Sequence, residues 1–391
     1  SLMVMLTHVE ETDDVQKKRL VLESKMKELT TLIGKRTIRP IHHLDITPVE
    51  MQKRLLTKLF TVIKRDNIYK SRAVAGGMGR PQQREPGVDS CSPTAKWESV
   101  FIGLKIAIEE QRHVSTMDFT AAFLNADLPA QQSNGINFNR ILELTPDIVQ
   151  LVLEIQPEWK EFICEGRGKN GTAGKGSMYF VIDKALYGMI ESSLAWFNEL
   201  RGTLIAMGFT QTDSDPCVFH TFANGDRTSI IVYVDDLMIF AKTRERTIQI
   251  REQLRDKYHQ LTTKDFESTD ELSYLNIQIK RISDGDDITM AFELSQSNYC
   301  KKIIQELGLT DIPNPFDSTL LPYTTDLFKV DPESPPLNKT EATFYTSAVG
   351  KLLYTATKIR ISLALPASFL CKRMHHPTSE DMDKLMRVLH W

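Results

Sequence analysis

The chain has 391 residues, with 48 Lys and Arg against 51 Asp and Glu and a formal net charge of −3. With 41% hydrophobic and 25% charged residues, the composition is that of a folded globular protein and excludes a disordered, collagen-like or fibrous chain. The length predicts two or three domains, and the sequence lacks the run of about 18 apolar residues that predicts a membrane span. The near-neutral balance of charge implies that any contact with a nucleic acid comes from a local basic surface.

The sequence pattern of the first part of the chain predicts mainly helices. Apolar residues at helical spacing predict one helix over 13–34, ended by Gly34, and a second that begins near Thr47-Pro48 and continues to Arg65. A loop is expected from Ala73 to Pro93, followed by a third helix over 98–110. Residues 131–174 are expected to form an insertion, which is polar at its start and glycine-rich at its end.

The rest of the chain predicts alternating strands and helices, followed by a helical C-terminal part. A helix from Ser192 is expected to end at Gly208, and Ser229–Phe240 indicates a strand, a turn and a second strand. A charged surface helix follows, and two strands around the turn SDGDD form a hairpin. From Ser295 onward the apolar spacing is helical.

Cysteine usage indicates a reducing compartment. The five cysteines are scattered, odd in number and contain no CxxC pair. This pattern is typical of buried or unpaired thiols and argues against a zinc module. An intracellular location is therefore expected.

Two adjacent acids, Asp235 and Asp236, interrupt the apolar segment Ser229–Phe240. Burying two ionised carboxylates next to each other costs several kcal/mol each unless a cation compensates them. One interpretation is an exposed hairpin tip, where Asp is a common turn residue. The other is a divalent metal held at the tip. For this pair alone, turn statistics favour the exposed tip.

Asp118 lies at a predicted junction between a strand and a helix, where a helix N-cap explains it well. Considered with Asp235, it allows a second interpretation, because adjacent strands are able to bring the two carboxylates together. Oxygen ligands from two Asp side chains and substrate phosphates suit Mg²⁺. Two such ions activate a primer 3′-hydroxyl and stabilise a pyrophosphate leaving group. The combination is typical of a polymerase palm.

Nine segments carry a more specific signal. They are, in chain order, YKSRAVAGG (69–77), SPTAK (92–96), MDFTAAFLNADLP (117–129), DKALYGMIESSLAWF (183–197), DPCVF (215–219), YVDDLMIF (233–240), TKDFESTDELSYLNIQI (263–279), LSQSNYCKKI (294–303) and YTSAVGKLLYTAT (345–357). Their content and order resemble the reverse transcriptase of copia-type LTR retrotransposons (Pseudoviridae), over about residues 45–391. The resemblance implies an α+β fold of the right-hand polymerase type, with fingers, a palm built on an antiparallel sheet, and a helical thumb and connection.

The resemblance also implies a division of the chain. The expected parts are an N-terminal helical segment (1–34), fingers (35–115), a palm (116–130 and 175–292) interrupted by the insertion (131–174), and a thumb and connection (293–391). The ribonuclease H segment that follows the polymerase in that family is not recognised before Trp391. A polymerase core of a larger polyprotein, or a fragment retained by a host, is therefore expected.

Catalytic roles follow from the same resemblance. Asp118, Asp235 and Asp236 are expected to be the catalytic carboxylates and the metal ligands, with a further metal contact from the main-chain carbonyl of Phe119. Lys264 matches a lysine that protonates pyrophosphate as it leaves, although a lone surface lysine is more often only a charge.

The residues expected to bind the incoming dNTP are Lys70, Arg72, Phe119, Phe123, Lys64 and Arg65. Phe123 matches the aromatic residue that excludes a ribose 2′-hydroxyl, whereas its spacing alone favours a position in the core. The lysines and arginines match basic residues that meet the triphosphate, and a solvated strand face is the alternative, since most Lys and Arg are exposed.

Two positions depart from the family pattern. Glu191 stands where many members have a Gln that contacts the nucleotide, and an acid there repels a triphosphate unless it points away. Asn276 replaces a Gly in the segment SYLNI.

The sequence therefore predicts an RNA- and DNA-directed DNA polymerase that extends a primer using two Mg²⁺ ions, with Mn²⁺ as a substitute. The expected partners are an RNA or DNA template with its primer, and dNTPs, without a membrane. The expected location is the cytoplasm, in a virus-like particle, or the nucleus. The alternative is a catalytically inactive protein of the same fold, retained as a nucleic-acid-binding or structural subunit. A metal-dependent phosphohydrolase explains the acids but none of the other motifs.

Overall fold

The computed structural model describes residues 15–63, 68–76, 90–128, 131–133, 136–165, 175–223, 225–283, 290–309 and 321–391. Lys64 and Arg65, two of the expected nucleotide contacts, lie outside these ranges, as do the glycine-rich residues 166–174 and residues 77–89 of the loop predicted from Ala73 to Pro93. The start of that predicted loop is wrong, because Ala73–Ala75 belong to the strand Tyr69–Ala75. Within the described residues, none of the helices combines the length and the hydropathy of a bilayer-spanning segment.

Helices and strands alternate through the first two thirds of the chain and helices dominate the last third. The helices are α1 (Val15–Gly34), α2 (Pro48–Lys53), α3 (Trp97–Glu109), α4 (Pro146–Ile155), α5 (Ser192–Ala206), α6 (Arg244–Tyr258), α7 (Ser297–Glu306), α8 (Lys339–Lys358), α9 (Ala364–Lys372) and α10 (Ser379–His390). The strands are β1 (Ile38–Ile41), β2 (Leu55–Ile63), β3 (Tyr69–Ala75), β4 (His113–Phe119), β5 (Gln131–Ser133), β6 (Ile136–Phe138), β7 (Ile141–Leu144), β8 (Met178–Ile182), β9 (Thr210–Gln211), β10 (Val218–Ala223), β11 (Asp226–Tyr233), β12 (Asp236–Ala241), β13 (Leu261–Asp265), β14 (Glu271–Tyr274), β15 (Ile277–Ser283) and β16 (Met290–Ser295). The fold is thus of mixed α and β type, as predicted.

Four sheets organise the described strands. A five-stranded sheet has the order β1-β8-β7-β2-β3, and a six-stranded sheet has the order β13-β4-β12-β11-β10-β9. A three-stranded sheet, β14-β15-β16, and a two-stranded ribbon, β5-β6, complete the set. In the six-stranded sheet every pairing is antiparallel.

The predicted helix from Thr47 to Arg65 is wrong in its second half. A capping box between Thr47 and Glu50 begins α2, but the helix ends at Lys53 and the chain continues as β2. Leu59 and Thr61 are buried alternate residues of this strand. The β-branched residues at its end favour an extended chain, and pairing with β3 satisfies their backbone. The apolar residues of this segment fit the spacing of a helix and that of a strand, and pairing with β3 makes the segment a strand.

The region expected to be an insertion is partly built into the five-stranded sheet. Strand β7 lies between β8 and β2, and Ile148, Val149 and Val152 of α4 are buried in the core beneath that sheet. Strand β8, at 178–182, was expected in the palm but lies in the same sheet as β1 to β3. Two stretches of the chain, one before β4 and one after it, therefore contribute strands to this sheet.

The six-stranded sheet is covered on both faces, which fixes the position of its central strands. On one face Met117 and Leu237 pack with Trp196 of α5 and Leu254 of α6. On the other face Val114 and Met238 pack in a core that includes Leu104 of α3.

The C-terminal helices α8, α9 and α10 share a core of their own. Tyr345 is fully buried there and donates a hydrogen bond from its hydroxyl to the carbonyl of Leu370 at 3.0 Å. Tyr354 of α8 donates to the carbonyl of Leu275, in the turn between β14 and β15, at 2.6 Å. This second bond joins the helical part to the three-stranded sheet.

The turn at Tyr187-Gly188 fastens the chain after β8 to strand β3. The N–H of Ala75 donates to the carbonyl of Tyr187 at 2.8 Å, and Gly188 has a φ of +85°. A Cβ atom at position 188 would lie 2.3 Å from Val74 Cγ1 and 2.6 Å from the carbonyl oxygen of Ala75. Both the backbone angle and the close approach therefore require glycine.

We expect Gly188→Ala to lower the free energy of unfolding by about 1–3 kcal/mol, because the substitution forces a strained φ and pushes β3 away. Gly202→Ala is the matched control: Gly202 lies in α5 with nothing within 4 Å of an added Cβ, and it should stabilise by up to about 1 kcal/mol. Urea denaturation followed by circular dichroism measures both, and equal midpoints for the two variants would contradict the close packing at Gly188.

Candidate active site

The end of β4 lies beside the tip of the β11–β12 hairpin. Asp236 is the register partner of Asp118 across the β12–β4 pair and of Tyr233 across the hairpin. Opposite residues in an antiparallel pair project from the same face with Cβ atoms about 4.5–5.5 Å apart. The carboxylates of Asp118 and Asp236 therefore share one face of the sheet, at the end of its central strands β4 and β12. Asp118 is exposed there and Asp236 is half-buried.

The hairpin turn that carries Asp235 is held from two sides. The indole Nε1 of Trp196 donates to the carbonyl of Val234 at 2.6 Å, and the N–H of Phe119 donates to the carbonyl of Asp235 at 3.0 Å. Val234 has a φ of +57°, a conformation that β-branched residues rarely adopt. The two bonds offset that strain and fix the position of the acids.

Trp196 and Phe119 are themselves buried. Their rings lie 5.2 Å apart and each also contacts Tyr258 of α6, at ring-centroid distances of 5.3 Å. The side chain of Phe119 is thus part of the core below the sheet, and only its main chain faces the acids. This placement leaves its expected carbonyl contact with a metal as a prediction.

The acids repel one another in this arrangement. Burial, followed by the charges of Asp235 and Asp118, raises the pKa of Asp236 to about 7. Burial also raises the pKa of Tyr187, with the charges of Glu28, Asp235 and Asp118 adding to the effect and that of Arg72 opposing it. A bound cation would favour the ionised form of a carboxyl that burial and two neighbouring carboxylates hold back from ionising.

The donor set fits a hard divalent ion, since three carboxylates at one edge supply the oxygen ligands that Mg²⁺ prefers. The three aspartates are not drawn around a single point, however. Among the described residues, the group of three His, Cys, Asp or Glu side chains whose ligand atoms lie within 4.8 Å of one another is His113, Asp265 and Glu267.

A row of side chains leads from the acids toward β3. The ring of Phe123 lies 5.1 Å from the ring of Tyr187. The guanidinium of Arg72 lies over the Tyr187 ring, 4.9 Å from its centroid. Arg72 Nη1 also contacts Glu28 Oε2 at 3.2 Å. Two residues expected to meet the nucleotide, Phe123 and Arg72, are therefore brought together through Tyr187.

Glu28 is the residue of this row that the sequence did not reveal. It belongs to α1, before the segment in which the family motifs begin, and its Oε1 accepts a hydrogen bond from the N–H of Ala73 at 3.2 Å. Burial raises the pKa of Glu28, while the charges of Arg72 and Lys70 and the bond from Ala73 oppose that rise. Lys70, half-buried on β3 two residues before Arg72, lies within the field of the same carboxylate.

Lys264 lies on β13, which pairs with β4 on the side away from β12. It is exposed on β13 and pairs with Thr116, while Thr262 is the partner of Asp118. Lys264 thus shares the face of Asp118 but lies two residues farther along β13 than the partner of Asp118, roughly 6–7 Å down the strand.

The two departures from the family pattern have clear placements. Glu191 Oε1 lies 2.9 Å from Nε of Arg140, which turns the acid toward the segment expected to be an insertion. Asn276 has a φ of +61°, a left-handed position that Gly adopts at no steric cost and Asn tolerates.

Comparison with known proteins agrees with the motifs. Residues 151–319 match the family described as reverse transcriptase (RNA-dependent DNA polymerase). The Retrovirus-related Pol polyprotein from transposon RE1 of Arabidopsis thaliana is 28% identical over 340 residues, which cover 83% of this chain and 19% of the relative. The corresponding polyprotein from transposon TNT 1-94 of Nicotiana tabacum is 23% identical over 328 residues, covering 83% and 21%.

This chain spans about one fifth of the length of these relatives. Among solved structures, apo telomerase from Candida Tropicalis, truncated from its C-terminal domain, aligns with a TM-score of 0.33 at 8% identity over 70% of this chain and 60% of that one. The predicted resemblance to copia-type reverse transcriptases is confirmed by the family match and by the curated relatives.

We expect Asp236→Asn to raise the melting temperature of the metal-free protein at pH 8 by about 1–3 °C. Because the pKa of Asp236 is raised to about 7 in the folded state, the stability linked to its protonation is present below about pH 4 and is lost as the pH rises through 7. At pH 5 the carboxyl of Asp236 is protonated in the folded protein, so the rise in melting temperature caused by Asp236→Asn should be smaller. Differential scanning calorimetry in EDTA at both pH values measures this.

The matched control is Asp213→Asn, which removes an exposed carboxylate away from the cluster and should leave the melting temperature unchanged. A gain for Asp236→Asn that is the same at pH 5 and pH 8 would contradict the repulsion among the acids.

Proposed function

We propose that this chain is an RNA- and DNA-directed DNA polymerase that extends a primer with dNTPs, as the polymerase part of a copia-type retrotransposon polyprotein. The observation that carries the proposal is the pairing of Asp118 with Asp236 on one face of the sheet, beside an anchored turn that presents Asp235. The match of residues 151–319 to the reverse transcriptase family supports the same function. Its partners are an RNA or DNA template with a primer, and dNTPs.

The proposal assigns a right-hand arrangement to the fold. The six-stranded sheet with α5 and α6 forms the palm, and the five-stranded sheet with α1 forms the fingers. Helices α7 to α10 form the thumb and connection. In this arrangement part of 131–174 and strand β8 belong to the fingers, which moves the boundary expected from the motifs.

Asp118, Asp235 and Asp236 would hold two Mg²⁺ ions, with Mn²⁺ as a substitute and the carbonyl of Phe119 as a further ligand. When bound, the ions activate the primer 3′-hydroxyl and stabilise the pyrophosphate leaving group. The chain supplies position: the Trp196 and Phe119 hydrogen bonds hold the turn, and the shared face of Asp118 and Asp236 sets the separation of the carboxylates. Lys264, exposed on the same face, would give a proton to pyrophosphate.

The nucleotide lies against the row formed by Arg72, Tyr187 and Phe123. Arg72 meets the triphosphate, and Glu28 holds its guanidinium in place before the nucleotide arrives. Phe123, supported by Tyr187, fills the space next to the sugar. Glu191 does not repel the triphosphate because Arg140 draws it away. Lys70 would add positive charge on the same side, and the resemblance assigns Lys64 and Arg65 the same role toward the triphosphate.

Primer extension on an oligo(dT)-primed poly(rA) template with Mg²⁺ tests the proposal. We expect the parent chain to extend the primer and Asp118→Asn and Asp235→Asn to lower the rate at least about 100-fold, because each removes charge stabilisation aimed at the reacting phosphate. Asp213→Asn should retain the parent rate. Equal rates for all variants would reject the assigned acids, and salt-sensitive duplex binding without extension would support the inactive alternative.

The role of Phe123 is tested separately by comparing kcat/KM for dTTP and UTP on the same template. We expect Phe123→Ala to reduce the preference for dTTP by roughly 10–100-fold, because the removed ring is the group that a 2′-hydroxyl would meet. Phe222→Ala, at an aromatic residue that is 68% exposed on β10, should keep the preference. An unchanged preference for Phe123→Ala would return Phe123 to a role in packing only.

A further inference from the structure

A second group of metal-binding side chains lies at the opposite end of β4 from Asp118. His113 begins β4, Asp265 ends the neighbouring strand β13, and Glu267 follows two residues later. One ring nitrogen of His113 and one oxygen of each carboxylate lie within 4.8 Å of one another. Five residues of extended chain place this group roughly 16 Å from Asp118, so it is separate from the candidate active site.

His113 supplies an independent sign of a ligand. Its side chain is 8% exposed, and its Nε2 atom is buried without a hydrogen-bond partner among the described residues. Nε2 faces Asp265 Oδ2 at 3.8 Å, which is too long for a hydrogen bond. Two ligands bound to one ion at about 2.0–2.2 Å lie roughly 3–4 Å apart. The gap between these atoms therefore matches an ion between them.

Glu267 lies near the second ring nitrogen of His113, Nδ1. Its Oε2 lies 3.4 Å from Nδ1 of His113, and its side chain is 42% exposed. A half-exposed glutamate is able to change rotamer at little cost, so its carboxylate is available either to bind an ion directly or to orient the imidazole that does.

The charge around His113 is negative. Burial alone would raise the pKa of Asp265, but the hydrogen bonds from Arg244 and Ser268 outweigh it and hold the pKa below its usual value. Arg244 Nε lies 2.9 Å from Asp265 Oδ2 and 4.0 Å from Glu267 Oε2. One guanidinium thus faces two carboxylates, and its side chain is 46% exposed.

We propose that His113, Asp265 and Glu267 bind a divalent transition-metal cation of the Zn²⁺ type, with water completing the coordination. An imidazole nitrogen with carboxylate oxygens suits such an ion, whereas Mg²⁺ and Ca²⁺ prefer oxygen alone. Arg244 is the competitor for the same carboxylate, and the ion displaces it toward solvent. The bound ion ties β13 to β4 and is independent of the proposed polymerase reaction.

Isothermal titration with Zn²⁺ tests the site in the double variant Asp118→Asn, Asp236→Asn, which removes two of the other acids expected to take up metal. We expect one Zn²⁺ per chain and a rise in melting temperature on binding. His113→Gln and Glu267→Gln, each added to the double variant, should weaken binding at least tenfold. Arg244→Gln should strengthen it several-fold because the competing cation is gone.

Glu109→Gln, at a 58% exposed glutamate of α3, is the control and should not change the affinity. Glu267 is half-exposed, so Glu267→Gln keeps the test valid if His113→Gln fails to fold. The proposal is overturned if no Zn²⁺ binds, if Glu267→Gln binds Zn²⁺ as tightly as its parent, or if Arg244→Gln weakens binding.

Discussion

The pairing of β12 with β4 is the interaction on which the candidate active site depends. Because side chains alternate between the two faces of a strand, a slip of one residue would move Asp236 to the opposite face from Asp118. The slip is prevented by burial on both sides: Leu237 packs with α5 and α6, and Met238 packs in the core that includes α3. The apolar residues next to the acids thus hold the acids in register.

Much of this arrangement could be predicted from the sequence. The segment Ser229–Phe240 gave the strand, turn and strand, and Asp118 was expected at the end of a strand. Both predictions rest on local patterns of apolar residues, which the structure follows. The failure at β2 has the opposite origin, because the apolar residues of 55–63 fit a helix as well as a strand and only the long-range pairing with β3 decided between them.

The contacts that position side chains were beyond the reach of the sequence. Glu28 contacts Arg72, 44 residues later in the sequence, and Arg140 contacts Glu191, 51 residues later. No local pattern in the sequence predicts either pair. The same is true of His113 and Asp265, which adjacent strands bring together. In each case the residue types are ordinary surface residues, and only the order of the strands gives them a common location.

The salt bridge between Arg72 and Glu28 has a consequence for the size of the folding unit. The family motifs begin well after α1, yet Leu29 and Leu32 of that helix are buried in the same core as Ala73 and Ala75 of β3. A fragment cut at the first motif would expose that apolar surface and release the guanidinium that α1 restrains. The smallest piece able to fold is therefore longer than the block of motifs, and truncation studies should keep α1.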